Sequence, residues 1–210
     1  MSAEATTAEP RRYRKRLRAE QELQTRQAIT EAAMRLHGTV GPARTTVSAI
    51  AEEAGVQRAT VYRHFPDEKS LFQACSSHYA SLHPPPDPAT WAEIGDPERR
   101  LRCALEDLYL WWEEIEEMML RVLRDAPLVE SMSAQVEAGQ AYLDRVRGLL
   151  LRGRPERGAA RRRVSAAIGH AIAFPTWRSL TREQGLTRPD AVELMAGMVQ
   201  RAASGRRSTR

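Results

Sequence analysis

The chain has 210 residues, a length for one domain or two small ones, and its 42% hydrophobic content supports a packed core and excludes disorder throughout. No apolar run approaches the roughly 18 residues of a membrane span. The basic N-terminus is not followed by the apolar stretch of a secretory signal. Lys and Arg number 32 against 27 Asp and Glu, a net charge of +5 that permits an anionic partner without requiring one.

Only Lys15 and Lys69 are lysines, leaving 30 arginines. Coding bias is one explanation, and the fit of the planar guanidinium to phosphate and guanine edges is another. Cys75 and Cys103 are too few for a disulfide framework and lack metal-ligand spacing. A soluble, cytoplasmic protein with no metal and no cofactor is expected.

In chain order, residues 1–10 form a polar leader, and Arg11, Arg12, Arg14, Lys15, Arg16 and Arg18 follow as six charges in eight positions. Residues 1–18 are expected to be a disordered leader and basic arm. Leu23, Ile29, Ala32, Ala33 and Leu36 recur at helical spacing, which predicts a helix over 19–36, stopped by Gly38 and Gly41-Pro42. Thr46 is a good N-cap for a second helix that Gly55 ends after barely two turns. A third runs over 57–64. Phe65-Pro66-Asp67 makes a break with a fresh cap, and a fourth helix covers 67–82.

Five prolines between 84 and 97 predict a stiff, non-helical linker over 83–96, the one strong domain boundary after a first domain at 19–82. Beyond it, helices are expected over 97–124, 129–152, 156–184 and 189–203. Pro175 should kink or split the third of these. The second domain is set at 97–203, with a basic tail at 204–210. No alternating strand pattern exceeds four residues, so the fold class is all-α.

The strongest signal lies between Thr45 and Phe65, where two short helices meet through a tight turn. Such a unit needs a small residue at the crossing (Ala51), a residue tolerant of positive φ (Gly55) and an apolar residue packing inward after the turn (Val56). Val61 and Phe65 bury one face of the second helix. Gln57, Arg58, Ala59, Thr60, Tyr62 and Arg63 are left on a free polar face, as base-edge reading in a major groove requires. A purely structural helical hairpin is the alternative.

The segment IAEEAGVQRATVYRHFPDEKSLF resembles the DNA-binding signature of the tetracycline-repressor (TetR) family of bacterial regulators, matching at Thr46, Ile50, Ala51, Ala54, Gly55, Val56, Thr60, Tyr62, His64 and Phe65. The resemblance covers about residues 25–75. It implies that Thr46 contacts a phosphate at a helix N-terminus, that Thr60, Tyr62 and His64 contact the DNA backbone or adjacent bases, and that Gln57, Arg58, Ala59 and Arg63 sit nearer base edges. Arg58 and Arg63 would then suit guanine and Ala59 a thymine methyl. Glu68 stands where the family usually places a phosphate-clamping Lys. Either Lys69 serves from a rotated position or the clamp is missing. The arm, through Arg11, Arg12, Arg14, Lys15 and Arg16, is read as adding phosphate contacts or entering the minor groove, with a merely solubilising tail as the alternative.

Two-fold symmetry is the common route to affinity for such a reader. Ala166, Ala167, Ile168, Ala171 and Ile172, with Val192, Leu194, Met195, Met198 and Val199, are candidates for either a homodimer interface or intrachain core. The resemblance implies the dimer, through the last two helices. It also implies an inducer pocket among the middle helices, where Trp111, Trp112, Met118, Met119, Tyr142, His170, Phe174 and Trp177 are candidates for holding an apolar or aromatic ligand. Cys75, His78 and His83 form an incomplete metal set. Glu113, Glu114, Glu116 and Glu117 read as a solvated face, and no catalytic constellation is found. The expected function is a homodimeric regulator, most simply a repressor released from palindromic double-stranded DNA by a small molecule. An effector-independent DNA-binding or architectural protein is the alternative.

Overall fold

The computed structural model describes residues 8–204, with side chains from Arg12 onward, and these residues are all-α, with no strand among them. The helices are α1 (Ala8–Thr39), α2 (Val47–Glu53), α3 (Arg58–His64), α4 (Glu68–Leu82), α5 (Pro88–Ala92), α6 (Pro97–Asp125), α7 (Ser133–Leu150), α8 (Gly158–Ala171), α9 (Phe174–Arg178) and α10 (Arg188–Ser204). The chain divides into two compact units. Of the described residues, the first holds those up to Leu82 together with Glu117–Ser133; the second holds His83–Glu116 and those from Ala134 to Ser204. Helix α6 contributes residues to both.

In the first unit, Ile29, Ala32 and Ala33 of α1 pack with Ile50 and Ala51 of α2, Val61 of α3, Phe65, and Leu71, Phe72 and Cys75 of α4. Alanines at the α1 and α2 contacts let short helices approach closely around the Phe65 and Phe72 rings. His37 is buried beside them, stacked on Phe72 at 4.7 Å between ring centroids and 3.5 Å from the Cys75 sulfur. Burial depresses its imidazole from 6.5 to about 4, against the opposing pull of Asp125. Burial likewise pushes the Cys75 thiol up to about 11, which leaves it protonated.

The turn after α1 is held by the end of α6. Arg121 donates to the Thr39 carbonyl at 2.9 Å, Arg124 to that of Val40 at 3.0 Å, and the buried Asp125 carboxylate accepts from the Ala43 N–H at 3.0 Å. Its hydrogen bonds from Arg124 keep that carboxyl below the ordinary range despite burial. Gly41 sits in this turn at φ 98°, where a Cβ would collide with Arg124 and Asp125.

The second unit is tied by two buried arginines. Arg100 donates to the carbonyls of Ile94 (2.6 Å) and Arg152 (2.8 Å), and Arg154 to the Leu150 carbonyl (3.1 Å) and the Glu98 carboxylate (2.7 Å). Both therefore satisfy carbonyls near the end of α7 or just before α6. Pro175 splits the expected third helix: α8 stops at Ala171 and α9 restarts with Pro175 in its first turn. The carbonyls freed at this break are taken by side chains of α6, Ala171 by the Tyr109 hydroxyl at 2.8 Å and Ile172 by the Trp112 indole at 3.3 Å.

Three expectations change. The arm is helical rather than disordered from residue 8, because no Gly or Pro interrupts residues 11–37 and the packed part of α1 propagates outward; Pro10 lies in the first turn, where it is tolerated. The proline-rich linker contains α5, capped by the Asp87 side chain and anchored by the buried Trp91, whose indole donates to Asp107 at 2.7 Å. The acidic stretch of α6 is paired rather than merely solvated, Glu113 and Glu116 with Arg182, Glu114 with His83 and Glu117 with Arg121.

Among the described residues no helix is long and apolar enough to cross a membrane, and no group of three His, Cys, Asp or Glu side chains is placed to hold a metal ion.

Candidate nucleic-acid interface

Helix α2 begins where the Thr46 hydroxyl accepts the Ala49 N–H at 3.1 Å. It ends in the turn Ala54-Gly55-Val56, in which the Val56 N–H bonds the Ala51 carbonyl at 2.9 Å. Gly55 has φ 67° and nothing within 4 Å of where a Cβ would be, so backbone conformation alone demands glycine there. Gln57 then precedes α3 without spending its side chain on a cap.

Helix α3 has two faces. Val61, and Phe65 just beyond the helix, are buried. Gln57, Arg58, Ala59, Tyr62 and Arg63 are exposed, while Thr60 and His64 are half-buried. The C-terminal end of α3 is pinned from α1, where Arg26 donates to the His64 carbonyl at 2.6 Å and its guanidinium stacks 4.1 Å from the Phe65 ring centroid. Partial burial, reinforced by Arg63 and Arg26, lowers the His64 imidazole below its ordinary value in the protein by itself.

Helix α4 starts beside this face. The Asp67 carboxylate accepts the Ser70 N–H at 2.7 Å, which lowers it from its ordinary value. Glu68 and Lys69 occupy the exposed first turn. Thr46, Arg58, Tyr62 and Lys69 all line one cleft of about 770 Å³, floored in part by Ile50 and Phe72; Glu68 and Glu130 line it as well. The structure thus brings four of the sequence-derived candidates together. Gln57, Ala59, Thr60, Arg63 and His64 lie outside that lining. A carboxylate at Glu68 next to Lys69 weakens the local attraction for phosphate.

Arg12, Arg14, Lys15 and Arg16 are exposed on the outer turns of α1, and the side chain of Arg11 lies outside the described residues. Nothing in the linear pattern separates Arg26 from the other arginines, and Asp125 is equally silent in the sequence, since its partners lie 82 residues away at Ala43 and next door at Arg124.

The expected ligand residues do not form one group. Tyr142, Trp111, Trp112, Phe174 and Trp177 make a continuous ring chain in the second unit, with successive centroids 6.0, 4.4, 5.5 and 5.4 Å apart. Trp112, Phe174 and Trp177 are buried in it, whereas Trp111 and Tyr142 are half-buried. The Trp111 indole is spent on the His83 carbonyl and the Tyr142 hydroxyl on that of Pro86. His170, in place of a core position, is exposed, with its Nδ1 3.2 Å from the Thr176 hydroxyl. Met118 and Met119 belong to the first unit, Met118 against Gly38.

Residues 29–75 match the family model for bacterial regulatory proteins of the tetR family. Over 64 residues the chain is 42% identical to the HTH-type transcriptional regulator TtgR of Pseudomonas putida, a match spanning 30% of each chain. Two solved structures share the fold across most of the length. A TetR-like transcriptional regulator from Rhodococcus sp. RHA1 superposes with a TM-score of 0.61 at 17% identity, covering 87% of this chain and 97% of that one. AibR, solved in complex with isovaleryl coenzyme A and operator DNA, superposes with a TM-score of 0.56 at 20% identity, covering 83% and 97%.

Proposed function

We propose, from a chain that carries in residues 29–75 the DNA-binding region of the TetR family of bacterial regulators, that this protein is a cytoplasmic transcriptional regulator reading palindromic duplex DNA as a homodimer. The observation that carries the reading is α3 itself: a short helix with one buried face, an exposed face of Gln57, Arg58, Ala59, Tyr62 and Arg63, and a C-terminus locked by Arg26. Arg58 and Arg63 present guanidinium forks to guanine edges and Ala59 a methyl to thymine. Thr46, Tyr62 and Lys69 grip phosphates around the same cleft, and Thr60 and His64 make the adjoining polar contacts. Chemistry on a substrate is no part of this function.

Dimerisation is assigned to α8 and α10. Ala167, Ile168, Ala171, Val192, Met195 and Val199 are already buried within one chain, so the partner meets the outward residues, Ala166 and Leu194 among them. A small apolar or aromatic effector acting in the second unit would release the DNA by favouring one tilt of α4, which changes the spacing of the paired recognition helices. AibR, with its acyl-coenzyme A and operator, is a fold relative for which both kinds of partner are named. The second reading, a regulator without effector, is favoured by the burial of Trp112, Phe174 and Trp177.

Selection from random duplex DNA at about 150 mM salt, where phosphate-only binding is suppressed, tests the proposal. Enrichment of a palindrome with two related half-sites is expected. Binding that shows no sequence preference and vanishes as salt rises would overturn it. Unchanged operator affinity across a panel of aromatic compounds that raise the melting temperature would decide for the effector-free reading.

A further inference from the structure

Helix α1 is longer than its packing requires. Its buried side begins at Ile29, yet the helix starts at Ala8, and residues 12–24 are exposed throughout. Between Pro10 and Ala19 there is no carboxylate, while Arg12, Arg14, Lys15, Arg16 and Arg18 are all cationic. Like charges one turn apart destabilise an unsupported helix, and a polyanion laid along this segment relieves that repulsion.

The phase of the helix says where that polyanion lies. Eighteen residues are five full turns, about 27 Å. Arg14, Lys15 and Arg18 therefore stand in register with Ala32, Ala33 and Leu36, which pack against the core of the first unit. The stripe that is apolar where α1 meets α2 and α4 is basic five turns earlier. Between the two, Arg26, about three turns beyond Lys15 and close to it in phase, reaches the end of α3, so the Lys15 edge of the stripe lies on the side of α1 that meets α3. Arg12 borders the stripe, about 60° from Lys15, whereas Arg16 points away from it and pairs with Glu20 at 3.3 Å.

We infer that Arg14, Lys15 and Arg18 form a second nucleic-acid contact, a rigid helical extension that grips the sugar-phosphate backbone of duplex DNA beyond the base pairs read by α3. The inference rests on the DNA-binding reading above. The partner is set by charge complementarity: a row of cations at i, i+1 and i+4 matches a strand of phosphates, and contacts to phosphate do not discriminate between bases.

The test uses the full chain and duplexes with and without the selected operator. Three variants are compared: Arg14→Ala/Lys15→Ala/Arg18→Ala, a control that removes two exposed arginines of the second unit, Arg99→Ala/Arg152→Ala, and Gln21→Pro, which keeps every charge but breaks the helix between stripe and body. The triple variant should bind about tenfold more weakly at 150 mM salt, on both duplexes alike, with the slope of log affinity on log salt shallower by roughly 2–3. Its hydroxyl-radical footprint should lose the flanking phosphates. Gln21→Pro should reproduce that footprint loss, and the second-unit variant should stay within about twofold. Equal losses from both charge variants, or an unchanged slope in the triple variant, would overturn the inference while leaving operator selection by α3 intact. Stripe-dependent binding without any sequence preference would instead sink the operator reading alone.

Discussion

The guanidinium of Arg26 donates to the backbone oxygen of His64 at 2.6 Å and lies over Phe65, 4.1 Å from its ring centroid. One side chain of α1 thereby caps the C-terminus of α3, where carbonyls lack intrahelical partners and the helix dipole is negative. A helix of seven residues has little intrinsic stability, so its orientation depends on such ties.

Arg26→Ala should cost about 1–2 kcal/mol of folding stability, from one charge-assisted hydrogen bond and one cation–π contact. Its effect on sequence-selective binding should be larger, about tenfold, because a loosened α3 pays to be ordered on DNA. Arg26→Lys keeps the charge but not the planar stack and should restore less than half of the affinity. Chemical denaturation and binding isotherms at fixed salt check both parts.

Stability should rise with pH between about 4 and 6.5 because of His37. Its folded value of about 4 lies below the ordinary 6.5, so in this window the unfolded chain binds a proton that the folded chain rejects. The contribution is complete above 6.5 and is lost as pH falls toward 4, on the order of 3 kcal/mol in all. The difference in unfolding free energy between the native chain and His37→Gln, measured at several pH values, should trace that slope. A constant difference would refute it.

Two glycines with positive φ should respond differently to alanine. Gly55→Ala meets open space and incurs only the left-handed backbone cost, about 1 kcal/mol. Gly41→Ala adds a collision with Arg124 and Asp125 to an unfavourable φ of 98°, and should cost about 3 kcal/mol or more. Urea midpoints of the two variants should separate in that order.

Arg100→Met should destabilise the second unit by about 3–5 kcal/mol. The buried guanidinium serves the carbonyls of Ile94 and Arg152, and an apolar side chain of similar length leaves them unpaired. Calorimetry should show the loss in the melting of the whole chain, with α3-dependent DNA selectivity unaffected at low temperature.

The three helices between residues 46 and 82 are legible in the sequence because their signals act within one or two turns. Thr46 caps three residues ahead, Gly55 turns the chain on its own φ, and Val61 and Phe65 face inward by helical phase alone. The same local logic places the break at Pro175, but not what compensates it. The Tyr109 hydroxyl that takes the Ala171 carbonyl comes from 62 residues away.

By itself, then, the sequence determined the all-α class, the paired short helices and the polar face of α3, since propensity, capping and periodicity are properties of neighbouring residues. Only the tertiary structure decided which arginines are buried ties, as Arg100 and Arg154 are, and which stand free, as Arg58 and Arg63 do. It also decided that Trp112, Phe174 and Trp177 fill a core instead of lining an open space. The physical reason is the same in each case: a guanidinium or an indole is chemically identical at every position, and its role is set by carbonyls and rings that long-range packing brings to it.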